Sequence, residues 1–377
     1  MGIFQNNLLA AAAAAAATGD GGNLWASGDG GEGQLGQLNT SNYSSPVLVL
    51  GENTWISVGS GQLGLNAVKD DGTLWAWGGA ANGRLGNETT TPNICSPIQI
   101  GSLTDWAKVV VHRDGTHGIK TDGTLWGWGK NAKGELGSGN TTSYSSPIQI
   151  GSLTDWSSGG SRENNVFLLK TDGTIWGIGV NTAGQLGLGD TTNRSSPVQI
   201  GALTTWALIT AGYGFGHAVK TDGTIWSWGL GGNGRLGDGT TTNRSSPAQI
   251  GSLTDWAGSI ASVASGDQHT LAVKTDGTLW AWGRNQWGQL GDGTQINRSS
   301  PIQIGSLTTW SKVSTTVAAS AAVKTDGTLW TWGNGKKGKL GHGISLEYIC
   351  SPVQVGDLTT WVRGINTYEW MTWLVEE

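Results

Sequence analysis

The ten residues KTDGTLWAWG at 274–283 recur throughout the chain in nearly the same form, for example as TDGTLWGWG from Thr121 and TDGTIWSWG from Thr221. The tryptophan that follows Leu or Ile in this motif falls at positions 25, 75, 126, 176, 226, 280 and 330. Successive copies are 50 to 54 residues apart, so the chain contains seven units of about fifty residues. A period of this length indicates a solenoid, a propeller or an array, and it overrides the two or three domains suggested by 377 residues.

One unit can be divided into four strand segments, which we call a, b, c and d. From Trp256 they are a (256–265), b (269–274), c (279–282) and d (301–304), with Asp276-Gly277 between b and c. Asp-Gly between two β-rich runs favours a tight hairpin, and helix signals are nearly absent. Four short antiparallel strands in each of seven units predict an all-β, seven-bladed propeller.

Six aspartates precede the glycine of this b–c turn, at positions 71, 122, 172, 222, 276 and 326. A ring of calcium sites is one interpretation, but one carboxylate per unit cannot supply the six to eight oxygens of such a site. We expect instead that each aspartate adopts the left-handed conformation of a type I′ turn.

The motif carries a family resemblance. W-x-W-G, then N-x-x-G-x-L-G and P-x-x-I, followed by G-x-x-H-x-L-A and DG, resembles the regulator of chromosome condensation repeat over about residues 18 to 375. The resemblance implies a seven-bladed propeller, in agreement with the count of units. It also implies binding of partner proteins across one propeller face, and the family's best-known activity is guanine-nucleotide exchange on a small GTPase.

The two ends of the chain are expected to share one blade. Residues 18–377 form the propeller, with strands c and d from Leu24-Trp25 and 46–50, and strands a and b from Trp361 onward. The run 10–17 and the segment 370–375 compete for the b position, and we favour the second. Pairing both ends removes the exposed edges of an open array.

Residues 1–17, MGIFQNNLLAAAAAAAA, form a separate Ala-rich segment that could act as an anchor or docking peptide. The segment is similar to the N-terminal peptide of some virion proteins of marine tailed phages, which implies a virion-associated role. It contains no Lys or Arg before its apolar run, which argues against a secretory signal, and the run is too short to span a bilayer.

Tryptophan and cysteine positions follow the repeat. Of 22 tryptophans, nineteen occupy repeated framework positions, and the other three are Trp287, Trp370 and Trp373, the last expected in the core. Each buried indole covers on the order of 150–250 Å², so blades with few aliphatic residues can still pack. Cys95 and Cys350 lie at equivalent positions of non-adjacent units and are therefore expected to be free thiols.

Charge and motifs argue against several functional classes. The net charge is −5 with no basic run or tail, which argues against nucleic acid and anionic membranes as partners. G-x-G-x-x-G at Gly28 and Gly229 is not followed by a helix, and no G-x-S-x-G motif is present. His112 and His117 lack the partners of a metal site, and Asp267 beside His269 lacks a nucleophile. We therefore expect a non-enzymatic protein with no cofactor, metal or catalytic residue.

Consecutive strands a, b, c and d are antiparallel and so alternate in direction. This strand parity places the a–b turns and c–d loops on one face, which we call the upper face, and the b–c turns and d–a connections on the other, the lower face. The a–b turns differ in every unit, as expected of a recognition surface on a rigid support, although tolerated variation is the alternative. The predicted protein- or glycan-binding residues are His112, Arg113, Arg162, Glu163, Tyr213, Phe215, Asp267, His269, Trp287, Tyr368, Glu369 and Trp370.

Two other functions remain open. Nucleotide exchange is one, but it uses an inserted wedge and a basic tail in the family, whereas the only insertion here is four residues between Trp256 and Lys274. A proteinaceous enzyme inhibitor is the other, and sequence does not separate it from a binding protein.

Overall fold

The computed structural model describes residues 22–50, 54–258, 262–365 and 371–376 of the chain. In this part the backbone forms 28 strands and three single-turn 3-10 helices, at Ala81–Gly83, Gly232–Gly234 and Lys336–Gly338. The strands form four-stranded antiparallel sheets, and the prediction of an all-β propeller built from such blades is confirmed. Within the described ranges, no helix has the length and apolar character needed to cross a membrane.

The described chain begins with β1 (Asn23–Gly28) and β2 (Tyr43–Leu48), and six blades then follow, each from one continuous stretch of chain. The strands of blades 1 to 6 are, in order, β3–β6 (Trp55–Ser60, Gly64–Lys69, Leu74–Gly78, Ile94–Gln99), β7–β10 (Trp106–His112, Gly115–Lys120, Leu125–Gly129, Tyr144–Gln149), β11–β14 (Trp156–Arg162, Asn165–Lys170, Ile175–Gly179, Arg194–Gln199), β15–β18 (Trp206–Gly212, Phe215–Lys220, Ile225–Gly229, Arg244–Gln249), β19–β22 (Val263–Ser265, His269–Val273, Leu279–Gly283, Arg298–Gln303) and β23–β26 (Trp310–Thr315, Ala319–Lys324, Leu329–Asn334, Tyr348–Gln354). The first strands of neighbouring blades contact one another, which places them around the axis.

A seventh four-stranded sheet, the closing blade, joins the two ends of the chain. Its order is β2-β1-β28-β27, with β27 at Trp361–Ile365 and β28 at Met371–Glu376. All six residues of β1 pair with β28, from Asn23 with Glu376 to Gly28 with Met371. The C-terminal segment therefore occupies the b position, as expected, while the competing run 10–17 lies outside the described residues.

Each b–c turn is held by a relay of three side chains. In blade 2, Asp122 Oδ1 accepts hydrogen bonds from Thr124 N at 2.9 Å and Thr124 Oγ1 at 2.7 Å. Thr124 Oγ1 in turn accepts one from Trp126 Nε1 at 3.0 Å. The prediction of left-handed aspartates is wrong, because only the following glycine has a positive φ, +78° at Gly123. The aspartate is required as an acceptor, and hydrogen bonding to Thr124 lowers its pKa below 3.8.

The lysine before each turn is buried against two indoles. Lys120 Nζ lies 4.4 Å from the Trp126 ring centroid and 5.1 Å from that of Trp106, and 3.1 Å from Asp105 Oδ2. The same pair of indoles meets a lysine in all six blades, at Lys69, Lys120, Lys170, Lys220, Lys274 and Lys324. A partly desolvated cation over an indole is stabilising by about 1–2 kcal/mol, which explains why a charged residue occupies a core-facing position.

The core lies between neighbouring blades. Trp128 and Trp106 of blade 2 pack with ring centroids 5.8 Å apart, in a cluster with Val68 and Leu74 of blade 1. Trp128 is fully buried, and a side chain on Gly86 would meet its ring at 2.8 Å. The glycines of the G-x-L-G motif are thus required where the next blade's indole packs against their backbone. Cys95 and Cys350 are free thiols, as expected.

Histidine side chains are also part of this core. His117, His217 and His269 have no exposed surface. His117 Nε2 lies 3.0 Å from the carbonyl oxygen of Leu136, and His269 Nε2 lies 3.0 Å from Ser320 Oγ. Burial lowers the pKa of His117 to about 4 and the pKa values of His217 and His269 to about 3, so all three are neutral in the folded protein.

Deletion of residues 361–377 is predicted to abolish the native monomer. The truncation leaves β1 without its partner β28 and Trp25 without the edge contact to Trp361, whose ring centroid lies 6.1 Å away. An unpaired strand edge promotes aggregation. Size-exclusion chromatography and thermal unfolding measure the effect, with deletion of residues 1–17 as the matched control that we expect to leave both unchanged. A truncated protein that stays monomeric and melts like the full chain contradicts the closure.

Acidification below pH 6.5 is predicted to destabilise the protein through its buried histidines. Because their folded-state pKa values are lowered from 6.5, the unfolded chain binds protons first. The contribution of the buried neutral histidines to the free energy of unfolding is complete above pH 6.5. It is lost as the pH falls toward 4, by about 1.4 kcal/mol per histidine per pH unit. Urea unfolding at pH 7, 5.5 and 4.5 measures this slope, and His217→Gln should reduce it. An unchanged unfolding free energy across this range would contradict the prediction.

Candidate functional site

Loop contacts establish the two faces. On the upper face, Arg84 of a c–d loop contacts Asp114 of an a–b turn (Nη2 to Oδ1, 2.9 Å). Arg235 likewise donates from Nη1 to the carbonyl oxygen of Tyr213 at 3.0 Å. On the lower face, the d–a connection meets the b–c turn where Trp106 N donates to Gly72 O at 3.1 Å. The parity expected from the sequence is therefore correct.

Several predicted binding residues are linked to one another. Arg113 Nε donates to Gln62 Oε1 at 3.1 Å, and its Nη1 contacts Glu163 Oε2 at 2.9 Å, so this chain of contacts crosses blades 1, 2 and 3. Arg162 of blade 3 reaches Asp267 of blade 5, with 2.8 Å from Nε and 2.7 Å from Nη2 to Oδ1. Burial raises the pKa of Glu163. These five residues brace the upper face across the axis.

The Arg162–Asp267 pair lies at the upper end of an axial cavity of about 110 Å³. The inner strands of blades 1 to 5 line this cavity with small residues and hydroxyl groups, including Ser60, Ser161, Thr210 and Ser265. The Ser161 hydroxyl is buried without a hydrogen-bond partner in the described structure. The cavity is small, and its upper end is bridged by the ion pair.

Five predicted binding residues are buried. Arg162 and Glu163, at 4% and 9% exposed, are held by the contacts above, and the other three lie at strand ends with their side chains turned away from the exposed face. Phe215 is 0% exposed, because β16 begins at this residue and turns its side chain inward beside His217, with ring centroids 5.3 Å apart. His112 ends β7 and is 1% exposed, and burial lowers its pKa well below 6.5. His269 is the buried first residue of β20. In each case the strand extends into the predicted turn.

No catalytic or metal-binding arrangement follows from these histidines. The rings of His112 and His117 are 5.7 Å apart, and the described residues contain no group of three His, Cys, Asp or Glu side chains placed to hold a metal. Asp267 is engaged by Arg162, while Ser320, the neighbour of His269, donates its hydroxyl to the carbonyl oxygen of Gln289 at 2.7 Å. That hydroxyl is buried and committed to a structural hydrogen bond.

The two most exposed aromatic residues of the described part, Tyr213 and Tyr348, lie on blades 4 and 6. Tyr43 of the closing blade and Tyr144 of blade 2 are partly exposed, as is Trp287 of blade 5. Tyr213 is 44% exposed in the a–b turn of blade 4. Trp287, in the c–d loop of blade 5, is half-buried, with its ring centroid 6.5 Å from that of Tyr348 and 5.0 Å from Lys336 Nζ. Tyr348 is 42% exposed and was missed by sequence reasoning, because it begins a d strand expected to be scaffold. Tyr368, Glu369 and Trp370 lie outside the described residues.

Comparison with known proteins shows the same architecture in two solved structures. Prp20p from Saccharomyces cerevisiae, whose binding properties to Gsp1p and histones are described with its crystal structure, aligns with a TM-score of 0.84 at 18% identity over 96% of this chain and 93% of that chain. Human WBSCR16 aligns with a TM-score of 0.83 at 18% identity over 94% of this chain and 99% of that chain. At this identity the similarity establishes the fold.

Sequence similarity to a curated protein is local. The chain is 40% identical over 45 residues to the ultraviolet-B receptor UVR8 of Arabidopsis thaliana, which covers 12% of this chain and 10% of that receptor. The match thus spans about a tenth of the receptor's length, roughly one repeat unit.

The family model gives the broadest match. The model of the regulator of chromosome condensation (RCC1) repeat matches residues 71–116, 122–158, 172–219, 222–273, 276–323 and 326–365. A second model of the same repeat matches residues 260–289. These matches cover well over half of the chain, and each match of the first model begins at a b–c turn and runs from strand c of one blade into strand a or b of the next. The chain therefore belongs to the RCC1 repeat family.

Proposed function

We propose that this chain is a non-enzymatic binding protein that holds a protein partner on its upper face. The observation that carries the proposal is the exposure of Tyr213 and the partial exposure of Trp287 on the face where the a–b turns all differ in sequence. Aromatic side chains commonly dominate the binding energy of protein interfaces. The repeated lower-face contacts supply a rigid support that does not depend on these turns.

Family membership supports a protein partner. Prp20p, with the same fold, is described in terms of its binding to Gsp1p and histones. On this chain the interface centres on blades 4 to 6, where Tyr213, Trp287 and Tyr348 are accessible. The neighbouring a–b turns are kept in place by the ion pairs of Arg113 with Glu163 and of Arg162 with Asp267, in which Arg162 and Glu163 are themselves buried. A glycan partner is the alternative ligand class.

Guanine-nucleotide exchange is the alternative activity, by analogy with the family. No observation on the described residues favours it specifically. The longer segment lies between Trp256, which pairs with Lys274, and the strand Val263–Ser265, and it includes residues 259–261, which lie outside the described part. An enzyme-inhibitor function would use the same surface as a binding protein. The virion hypothesis depends on residues 1–17, which lie outside the described part, and the relatives above lend it no support.

Substitution of the exposed aromatics is predicted to weaken partner binding without unfolding the protein. Tyr213→Ala or Trp287→Ala should each cost about 2 kcal/mol or more, roughly a thirtyfold increase in Kd. Leu153→Ala is the matched control, because Leu153 is similarly exposed, at 45%, on the lower face. Trp128→Ala should act in the opposite way and destabilise the fold by about 3–5 kcal/mol.

The measurement is affinity capture from the native source with each immobilised variant, followed by hydrogen exchange of the purified complex and a melting curve of each variant. Protection of the upper-face turns of blades 4 to 6 is the expected footprint. Protection confined to the b–c turns of the lower face would refute the proposal. If the captured partner is a small GTPase, acceleration of its nucleotide release would favour exchange activity over simple binding.

A further inference from the structure

A polar cavity of about 700 Å³ opens between blades 4 and 5. Its lining residues come from the c–d loops of these blades and are Asn233, Arg284, Gln286, Gln295, Ile296 and Asn297. Four of the six carry carboxamides, one carries a guanidinium and none carries a carboxylate. The cavity adjoins the surface proposed above to contact the partner, because Gln286 of its lining precedes Trp287 in the chain and Asn233 lies two residues before Arg235, which donates to the carbonyl oxygen of Tyr213.

The carboxamides are held in place by bonds between the two blades. Asn233 Nδ2 donates to Gln268 Oε1 at 2.6 Å, and Asn297 Nδ2 donates to Asn233 Oδ1 at 3.2 Å. Asn297 Oδ1 in turn accepts a hydrogen bond from Asn285 N at 2.8 Å. Each carboxamide offers two donor hydrogens and two acceptor lone pairs, so these bonds leave capacity for a ligand. The network therefore orders neutral donors and acceptors before a ligand arrives.

Arg284 differs from most arginines of this face, although Arg235 likewise donates to carbonyl oxygens, those of Gly232 and Tyr213. Arg84, Arg113 and Arg162 each contact a carboxylate, and so do Arg244 and Arg298. Arg284 donates from Nη2 to Gln286 Oε1 and has no ion pair with any described residue. Its half-buried guanidinium thus carries a charge that no neighbouring carboxylate balances, and guanidinium groups pair well with carboxylates in a bidentate geometry.

A comparison of equivalent repeat positions explains why the cavity exists between blades 4 and 5. Asn233 and Trp287 occupy the same position of successive units, six residues before Gly239 and Gly293 respectively. In blade 5 the indole fills the groove toward blade 6 and meets Tyr348 and Lys336. In blade 4 the shorter asparagine reaches Gln268 and Asn297 of blade 5 and leaves the cavity beside it.

We propose that this cavity binds an extended peptide segment of the partner, through its main chain and through one aspartate or glutamate that pairs with Arg284. This inference rests on the proposed function and specifies the chemistry of the bound segment. Peptide N–H and C=O groups are neutral donors and acceptors, which the ordered carboxamides can match. A saccharide is less well matched, because no aromatic ring lines the cavity and the Trp287 ring contacts Tyr348 and Lys336.

The experiment selects peptides from a displayed random heptapeptide library on the immobilised full chain. Peptides with a shared Asp or Glu are expected, and a synthetic copy of one should bind at least tenfold more weakly to Arg284→Gln. Asn233→Gly should also weaken binding, because it removes the carboxamide but accommodates the positive φ of 62° at this position. Lys133→Gln is the matched control, with the same loss of charge at an exposed upper-face position of blade 2.

Three results would overturn the inference. They are the absence of peptide enrichment, enrichment that is unaffected by Arg284→Gln, and binding on a glycan array of neutral oligosaccharides that depends on Asn233 while peptides do not bind. Partner capture separates this inference from the proposed function. If Tyr213→Ala and Trp287→Ala abolish capture but Arg284→Gln and Asn233→Gly do not, the proposed function stands and the peptide site fails.

Discussion

Packing of indoles between neighbouring blades is the interaction on which the whole ring depends. Each blade contributes few aliphatic side chains, and tryptophans such as Trp106 and Trp128 fill the space between one blade and the preceding one. Burial of one indole removes on the order of 150–250 Å² of surface from water. The remaining residues of the decapeptide hold these rings in place: aspartate fixes threonine, threonine fixes one indole, and lysine covers a pair of them.

This arrangement constrains the sequence of the lower face more than that of the upper face. The b–c turns and the d–a connections are bound by the relay, the lysine and backbone hydrogen bonds, so their sequences vary little between units. The a–b turns take no part in the relay, and their contacts differ from blade to blade. Arg113 contacts Glu163 of the next blade, whereas Arg162 passes over blade 4 to reach Asp267. The upper face can therefore change in chemistry while the blades remain the same.

The fold could be predicted from the sequence because its determinants recur locally. The spacing of tryptophans, the Asp-Gly turns and the division of strands between the two ends led to the propeller and to the pairing of β1 with β28. The lysine stack was missed, because a lysine in a sequence pattern gives no sign of the indole from strand a that covers it. The role of the turn aspartates was misassigned, since the left-handed residue is the glycine alone.

The site was harder to predict for two physical reasons. Strand b of blade 4 is buried along its whole length, so an error of one position in the strand boundary converts the buried Phe215 into an apparent surface anchor. The ion pairs Arg113–Glu163 and Arg162–Asp267 join residues 50 and 105 positions apart, and only the closed ring brings Arg162 to Asp267. Tyr348 became a candidate only when the structure placed it beside Trp287.

Positions at which one unit departs from the repeat can be compared directly in the structure, because equivalent loops occupy the same place in each blade. Position 233 and position 287 share one backbone environment, yet one carries asparagine beside an open cavity and the other carries tryptophan against the next blade. Because the scaffold imposes no choice between them, the difference belongs to the surface that they form. An ordered amide network, an arginine without a carboxylate and exposed aromatic rings occur together on blades 4 to 6. A repeat protein of this kind can therefore change its surface chemistry at loop positions that the indole core does not use, which is the basis of the binding site proposed here.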